Sequence, residues 1–319
     1  MSKALALVVV LFFVLFCGKC YGELRVGFYE GKCGKTNVEG VVQNVVETWH
    51  FEEKEKDIAA ALLRMHFHDC FVKGCDASIL LDGLTSERKA VPNSSVRGFG
   101  LIDAIKEALE AECQGLVSCA DIISMATRDA VVLAGGKWYD VETGRRDGDV
   151  SLASNVNLPA ATISVSDSIK LFASKNLTQY DMVYLLGGHT VGIARCSLFK
   201  DRIYNFNKTG GPDPSMSPWL LAELKDKCPR ISLIFDNTYP LDQEIKKGNG
   251  VLQIDQQIAL DELTKNIVDD IVNDPDFYTK FGEAMVKLGR VEVLIDGQGE
   301  VRKSCRVVNK KPFIFGGLN

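Results

Sequence analysis

The segment LRMHFHDCFVKGCDASILL, residues 63–81, carries the pattern that most constrains the fold and the chemistry. Its first part has helical spacing, and it places Arg64, Phe67 and His68 on one face because residues three and four apart are neighbours on a helix. His66 points about 200° away from His68, so the two imidazoles cannot bind one metal ion together. A general base beside a permanent cation suits peroxide heterolysis, in which a proton moves between two oxygens and negative charge develops. The alternative is a structural helix that happens to carry an arginine and a histidine near its end.

The second part of the same segment places oxygen donors at alternating positions. The donors are two carboxylates, one hydroxyl and two backbone carbonyls, which belong to Asp69, Asp76, Ser78, Val72 and Gly74. Calcium prefers a set of hard oxygen ligands that includes carbonyls. This pattern predicts a calcium site, and the alternative is a polar surface loop closed by a short bridge between Cys70 and Cys75.

Another histidine of interest lies far downstream, in the segment LLGGHTVG. Two glycines precede His189, and they let a bulky planar group approach the backbone closely. Asp255 is a candidate partner for the second ring nitrogen, because such a carboxylate fixes the tautomer and makes the histidine a more electron-rich ligand. A purely structural histidine is the alternative for His189, and His50 is best interpreted as a surface residue.

The N-terminus has the form of an export signal. Lys3 is followed by an apolar stretch from Ala4 to Cys17 that is too short to span a bilayer, and cleavage near Gly22 would remove residues 1–22. No later apolar run is long enough for a membrane helix, so we predict an exported protein without a membrane partner. Loss of the two lysines in the leader changes the net charge from −5 to −7, which disfavours nucleic-acid binding.

Eight cysteines remain after the leader. An even number in an oxidising compartment predicts four disulfides, each of about 2–4 kcal/mol, although the spacing does not select the pairing. A zinc site is the alternative, but no cysteine pair with two-residue spacing lies next to a histidine pair. The eight are Cys33, Cys70, Cys75, Cys113, Cys119, Cys196, Cys228 and Cys305.

Helical periodicity dominates the rest of the chain, whereas strand-like alternation is scarce. Ser166, Thr178 and Asp274 each precede an apolar pattern in the way that helix starts do. We therefore predict an all-α protein of about ten helices. No repeat, low-complexity tract or flexible linker interrupts residues 23–319, so we expect a single domain there.

Five motifs, in the family's order between about Arg25 and Cys305, resemble the secretory (class III) plant haem peroxidases. The motifs are residues 63–81, VSCAD at 117–121, GRRD at 144–147, NLPA at 157–160 and GGHTVG at 187–192. The resemblance implies the plant peroxidase fold, in which a distal half (about 23–150) and a proximal half (about 151–290) enclose one haem b. A C-terminal segment would be tied back through Cys305.

The resemblance also assigns roles at the haem. His68 is the distal acid–base residue, Arg64 stabilises the transition state, and Asn93 accepts a hydrogen bond from His68. His189 is the axial ligand of the haem iron, and Asp255 is its carboxylate partner.

Further positions follow from the same resemblance. Phe67 would lie against the cofactor, and Pro159 would mark the exposed haem edge where reducing substrates dock. The first calcium site would take the donors described above, with Glu87 reaching the ion through water. The implied disulfides join Cys33 to Cys113, Cys70 to Cys75, Cys119 to Cys305 and Cys196 to Cys228. Matches that we interpret as structural are His66, Asp121, Arg145, Arg146 and Asp147.

The implied activity is hydrogen-peroxide-dependent oxidation of phenolic and related donors through an oxoferryl intermediate. One alternative is a haem- and calcium-binding member of the family with little turnover. The other is a secreted metal-dependent hydrolase, which would need a second ligating side chain near His189, and no H-E-x-x-H motif exists. We expect a monomer in the apoplast or the vacuole, with hydrogen peroxide and small phenolic donors as its partners.

One loop departs from the family's pattern. The segment between Cys228 and Ile234 is shorter than the loop that normally supplies ligands to a second calcium ion. Thr190, Asp236 and the carbonyl of Ile234 remain, so we predict a second calcium that binds weakly or not at all.

Three N-x-Ser/Thr sequons begin at Asn93, Asn176 and Asn207. If Asn93 holds the distal histidine, it is buried and carries no glycan. Asn176 and Asn207 are the better candidates for glycosylation.

Overall fold

A computed structural model describes residues 24–52, 57–230, 238–240, 245–272 and 274–309, so the predicted export signal lies outside the described residues. Over these ranges the chain forms eleven α-helices and one small sheet, which confirms the mostly helical prediction. None of the described helices is long and apolar enough to cross a membrane. The helices are α1 Val38–Phe51, α2 Ile58–Lys73, α3 Phe99–Glu112, α4 Cys119–Leu133, α5 Val165–Ala173, α6 Gln179–Leu186, α7 Lys200–Tyr204, α8 Pro218–Lys227, α9 Gln253–Ile258, α10 Lys265–Val272 and α11 Phe277–Leu288.

The sheet has two antiparallel strands, β1 Ile193–Arg195 and β2 Thr238–Pro240, with Ala194 opposite Tyr239. Short 3-10 turns carry several of the residues singled out by the sequence. Two of them, Glu87–Lys89 and Val91–Asn93, follow the segment that is predicted to bind calcium. A third, Gly187–Thr190, follows α6 directly.

Helix starts show how local chemistry sets the element boundaries. The predicted start at Thr178 is confirmed: its side chain caps α6, and the Asp181 side chain accepts a bond from the Thr178 amide in return. The predictions at Ser166 and Asp274 were wrong by two residues. Ser164 caps α5 by accepting the Asp167 amide at 3.1 Å. Asp274 instead accepts the amide of Asp276 at 2.9 Å, which forms a turn just before α11.

Two hydrophobic cores lie side by side, and α2 contributes to both. The first core joins α1, α3 and α4, and it includes Leu62 and Met65 from α2. The second core contains side chains from every helix in the series α5 through α11, and it includes Phe71 from α2. Burial of each such side chain contributes roughly 1.5–3 kcal/mol. Helix α2 is therefore fixed on two sides, which holds its remaining face in a defined position.

Four disulfides cross-link the chain, in the pairing that the resemblance implied. Two of them span long separations of 80 and 186 residues, and the second joins α4 to the C-terminal segment. The pairs are Cys33–Cys113, Cys70–Cys75, Cys119–Cys305 and Cys196–Cys228.

Candidate active site

One face of α2 carries Arg64 and Phe67, and Phe67 also packs against the edge of the second core. Both side chains are only partly buried, whereas their neighbours Met65 and His68 are buried. The same face reaches Ala60, whose Cβ lies close to Gly192 in the segment after α6. This face of α2 therefore lies next to the segment that carries His189.

His68 is held by a hydrogen-bond chain that fixes its tautomer. Its Nδ1 lies 2.6 Å from Oδ1 of Asn93, and Nδ2 of Asn93 donates to the carbonyl of Glu87 at 2.9 Å. Because Nδ2 is the donor in the second bond, Oδ1 must accept from the imidazole. Nδ1 of His68 then carries the proton, and Nε2 is the unprotonated nitrogen that can accept one.

Arg64 donates a hydrogen bond to that nitrogen. Its Nε is 3.3 Å from Nε2 of His68, while Nη1 donates to Oγ of Ser95 at 2.8 Å and Nη2 donates to the carbonyl of Pro92 at 2.8 Å. Burial, and then the charge of Arg64, lower the pKa of His68 to about 4. The imidazole is therefore neutral near pH 7 and able to take a proton.

The anchors of Arg64 were missed from the sequence. Ser95 and Pro92 flank Asn93 in the loop before α3, so nearness to that asparagine was the only available signal. Arg64 is thereby tied to the loop that positions His68, and its orientation and that of the imidazole are set together.

His189 lies in the 3-10 turn after α6. Its Nδ1 is 2.8 Å from Oδ1 of Asp255 on α9, so the predicted pair is in contact. Burial lowers the pKa of His189, but the charge and hydrogen bond of Asp255 outweigh it, and the pKa lies above its ordinary value. Asp255 is buried, yet the His189 side chain is 39% exposed, because its other edge faces an open space.

Arg64, His68 and His189 lie near one another, since the charge of His189 acts on His68 and that of Arg64 acts on His189. A Cβ added to Gly188 would meet no atom within 4 Å, so the backbone beside His189 borders the same opening. These observations fit a flat group that lies between α2 and the 187–192 segment, with His189 able to ligate a metal at its centre.

The other residues assigned to the cofactor and substrate lie at the edges of this region. The Phe67 ring stacks at 6.1 Å on Phe172 and lies 4.5 Å from Phe71, which makes it part of an aromatic wall. Pro159 is partly exposed in the loop before α5, and the Ala161 carbonyl of that loop accepts the amide of Ile254 at 3.0 Å. The loop of Pro159 is therefore tied to the helix that carries Asp255.

The predicted calcium donors converge after α2. Oδ2 of Asp69 accepts the amide of Ala77 at 2.9 Å, and Oδ1 of Asp76 accepts the amide of Ser78 at 2.9 Å. The Gly74 carbonyl accepts the Asp76 amide at 2.9 Å. Burial, and then the charge of Asp76, raise the pKa of Asp69, as expected for carboxylates that share a small space without a cation.

A cation fits this cluster. Oγ of Ser78 and both carboxylate oxygens of Glu87 are buried without a hydrogen-bond partner of normal geometry in the described ranges. Buried oxygens of this kind require a partner. The described residues contain no group of three His, Cys, Asp or Glu side chains that could hold a metal by themselves. A cation here would therefore depend on the Ser78 hydroxyl and on the carbonyls of Val72 and Gly74 as well.

The remaining predicted positions divide into three groups. Asp236, Ile234 and the shortened segment lie outside the described residues, and Oγ1 of Thr190 donates to the Gly187 carbonyl at 2.8 Å. His50 is exposed on α1. The residues interpreted as structural are buried or bonded within the scaffold: His66 is buried, Arg145 pairs with Asp121 at 2.9 Å, Asp147 accepts the Ala120 amide at 2.9 Å and Arg146 donates to the Gln298 carbonyl at 2.5 Å.

Comparison with known proteins gives consistent matches along most of the chain. The family model described as "Peroxidase" matches residues 41–274. Peroxidase 60 of Arabidopsis thaliana is 49% identical over 310 residues, which cover 92% of this chain and 92% of the relative. Peroxidase 57 of the same plant is 48% identical, with 94% and 96% covered. Peroxidase N1 of Nicotiana tabacum is 41% identical, with 89% and 90% covered.

Proposed function

The chain belongs to the class III plant peroxidases, which are hydrogen-peroxide-dependent haem oxidoreductases, and on this premise we propose the roles of its individual residues. His68, Arg64 and Asn93 form the site where peroxide is cleaved. His189 would ligate the iron of one haem b, with Asp255 as the hydrogen-bond partner of its Nδ1. The hydrogen bonds of His68 to Asn93 and of His189 to Asp255, on two sides of one opening, support this assignment most directly.

His68 moves the proton in the peroxide step. Its Nε2 takes the proton from one peroxide oxygen and delivers it to the other, so that the second oxygen leaves as water. Arg64 stabilises the negative charge that develops during cleavage, since its guanidinium lies beside Nε2 and is held by Ser95 and Pro92. Asn93 keeps the proton on Nδ1 and so leaves Nε2 available.

His189 and Asp255 act on the cofactor. Bound haem would supply the redox centre that gives two electrons to peroxide. Asp255 fixes the ring of His189 and makes it a stronger electron donor to the haem iron. Phe67 lies against the cofactor as part of the aromatic wall shared with Phe71 and Phe172.

Small phenolic donors are the proposed reducing substrates. They would reach the edge of the site at the loop of Pro159, which is partly exposed and tied to α9. Each donor gives one electron, so two donor molecules are consumed for each peroxide. Contact at an edge does not require a close-fitting pocket, so a broad range of phenols is expected.

The calcium cluster holds one ion tightly in this proposal. Asp69, Asp76 and Ser78 supply side-chain oxygens, the carbonyls of residues 72 and 74 complete the set, and Glu87 contributes through water. The second ion, for which Thr190 and Asp236 remain, binds weakly or not at all. Metal analysis of the purified holoprotein tests this, with one tightly held calcium per chain expected, and two tightly held ions would contradict it.

The remaining proposals concern the protein as a whole. Residues 23–319 form one domain, the protein is exported as a monomer to the apoplast or the vacuole, and Asn176 and Asn207 carry glycans. Both asparagines are exposed, whereas Asn93 is buried, which supports the last point.

The decisive experiment combines a spectrum with turnover. Purified protein should show a Soret band and should oxidise a phenolic dye only when peroxide is added. The variant His68→Ala should retain the Soret band and lose the dye oxidation, because it removes the base and leaves His189 in place. His50→Ala is a matched control, since His50 is exposed and lies on α1. A colourless protein, or activity unchanged by His68→Ala, would refute the assignment.

A further inference from the structure

The C-terminal arm, residues 300–309, lies directly beside the calcium cluster. Cys305 joins it to α4, and the backbone of Glu300 pairs with that of Asp147 through two hydrogen bonds of 2.7 and 2.9 Å. Between these two attachments lies Arg302, which is fully buried. None of the peroxidase steps above uses this guanidinium.

Arg302 donates hydrogen bonds to the turn that carries two of the calcium donors. Its Nη2 donates to the Ala77 carbonyl at 2.7 Å and to the Asp76 carbonyl at 3.2 Å. Its Nη1 donates to the Cys305 carbonyl at 2.7 Å, which ties the turn to the arm's own disulfide. The carbonyls of Asp76 and Ala77 are not among the proposed calcium donors.

The turn held by Arg302 has a conformation that its sequence disfavours. Ala77 has a φ of 57°, in the left-handed region that residues with a Cβ rarely adopt. In this conformation its amide donates to Asp69 at 2.9 Å, and the next amide, that of Ser78, donates to Asp76 at 2.9 Å. Because the two carbonyls bond outward to Arg302, the side chains of Asp76 and Ser78 are free to point into the cluster.

We propose that Arg302 is a positioning residue for the first calcium ion, and that the C-terminal arm thereby sets how long the ion stays bound. The proposal rests on the calcium site assigned above. Arg302 contacts no proposed donor atom, so it acts through the geometry of the turn from Asp76 to Ser78.

The sign of the effect separates positioning from simple charge. A guanidinium and a calcium ion repel each other, so if charge alone mattered, removing Arg302 would make calcium bind more tightly. If Arg302 positions the turn, its removal takes one of two donors from each buried carbonyl, because only the Gly148 amide then remains on Asp76 and the Leu80 amide on Ala77. The turn is then held less firmly and Ala77 can leave the left-handed region, so calcium binds more weakly. The two mechanisms therefore predict opposite outcomes.

The test measures calcium release from the holoenzyme after mixing with excess fluorescent calcium chelator. Arg302→Met and Arg302→Lys should release the ion at least tenfold faster than the unsubstituted protein. The lysine variant keeps the charge but cannot bond both carbonyls as a planar fork does, so it also serves if the methionine variant does not fold. Lys303→Met is the matched control, because Lys303 is exposed one residue away, and it should leave the rate unchanged.

A second readout excludes a purely structural role. Thermal midpoints are compared with and without calcium, since a bound ion stabilises the folded protein by an amount that grows with the logarithm of its affinity. A structural role lowers both midpoints equally, whereas positioning reduces the difference between them. Unchanged or slower release in Arg302→Lys, with an unchanged midpoint difference, overturns the proposal. An unsubstituted holoprotein without tightly held calcium overturns the calcium site itself and this proposal with it, while leaving the peroxidase assignment intact.

Discussion

The two histidines of the site differ in their partners, and the partners give them opposite properties. His68 is paired with a neutral amide, Asn93, and its pKa is lowered to about 4 by burial and by Arg64. His189 is paired with a carboxylate, Asp255, and its pKa is raised despite burial. One imidazole is therefore kept neutral as a base, while the other is made more electron-rich as a ligand. The Asp255 carboxylate therefore accounts for the raised pKa of His189, whereas burial and the charge of Arg64 outweigh the hydrogen bond of Asn93 at His68.

The largest expected effect comes from removal of the base itself. His68→Ala should lower kcat/KM for hydrogen peroxide by about 10²- to 10⁴-fold, because a positioned general acid–base contributes roughly that factor. Stopped-flow measurement of the peroxide step checks this, with the Soret band confirming that the cofactor is still bound. A loss below tenfold would show that another group moves the proton.

Exchange of the carboxylate for an amide should make the second histidine resemble the first. Asp255→Asn should weaken cofactor retention or activity by about 10- to 100-fold, the usual effect of removing the outer partner of a ligating histidine. The rate of haem transfer to an excess of apomyoglobin measures retention, and the iron reduction potential should rise. Asp261→Asn, on the exposed turn after α9, is a control. A variant with unchanged potential and unchanged haem transfer would contradict the role of Asp255.

The reverse exchange should make the first histidine resemble the second. Asn93→Asp places a carboxylate next to Nδ1 of His68. An adjacent opposite charge raises the pKa of an imidazole by about 1–3 units. The protonated ring cannot take a proton, so the peroxide step should be lost below the raised pKa and recover as the pH rises through it. The pH profile of kcat/KM for peroxide should therefore move to higher pH, by at least about one unit. A profile that stays in place would show that the partner of Nδ1 does not control the base.

The smallest effect concerns the sequons. Asn176→Gln and Asn207→Gln should each remove one glycan and change activity by less than about twofold, because both positions are exposed and lie away from either histidine. Peptide mapping by mass spectrometry checks occupancy. A glycan on Asn93 would be incompatible with its hydrogen bonds to His68 and Glu87.

The two sides also differ in how far the sequence alone predicts them. Arg64 and His68 are four residues apart on one helix, so helical spacing was sufficient to place them together. His189 and Asp255 are 66 residues apart, so local spacing cannot pair them: Asp255 was a candidate partner on chemical grounds, and the family resemblance assigned it.

Other elements show where local patterns are insufficient. The start at Ser166 was misplaced because Ser164, two residues earlier, caps α5, and the start at Asp274 because its side chain closes a turn that precedes α11. Arg302 carried no signal at all: a lone arginine near a cysteine is common, and its bonds to Asp76 and Ala77 cross more than 200 residues. Contacts over such distances follow from the packing of the whole chain rather than from local periodicity.

The position of α2 between the two cores has a consequence for folding. Leu62 and Phe71 are packed into different cores by the same helix, so neither core can be dismantled while the other keeps its full set of contacts. Amide hydrogens in the middle of α2 should therefore exchange with solvent only through global unfolding, whereas those at exposed helix ends exchange through local opening. The segment that performs the chemistry is thus also the one that joins the protein into a single cooperative unit.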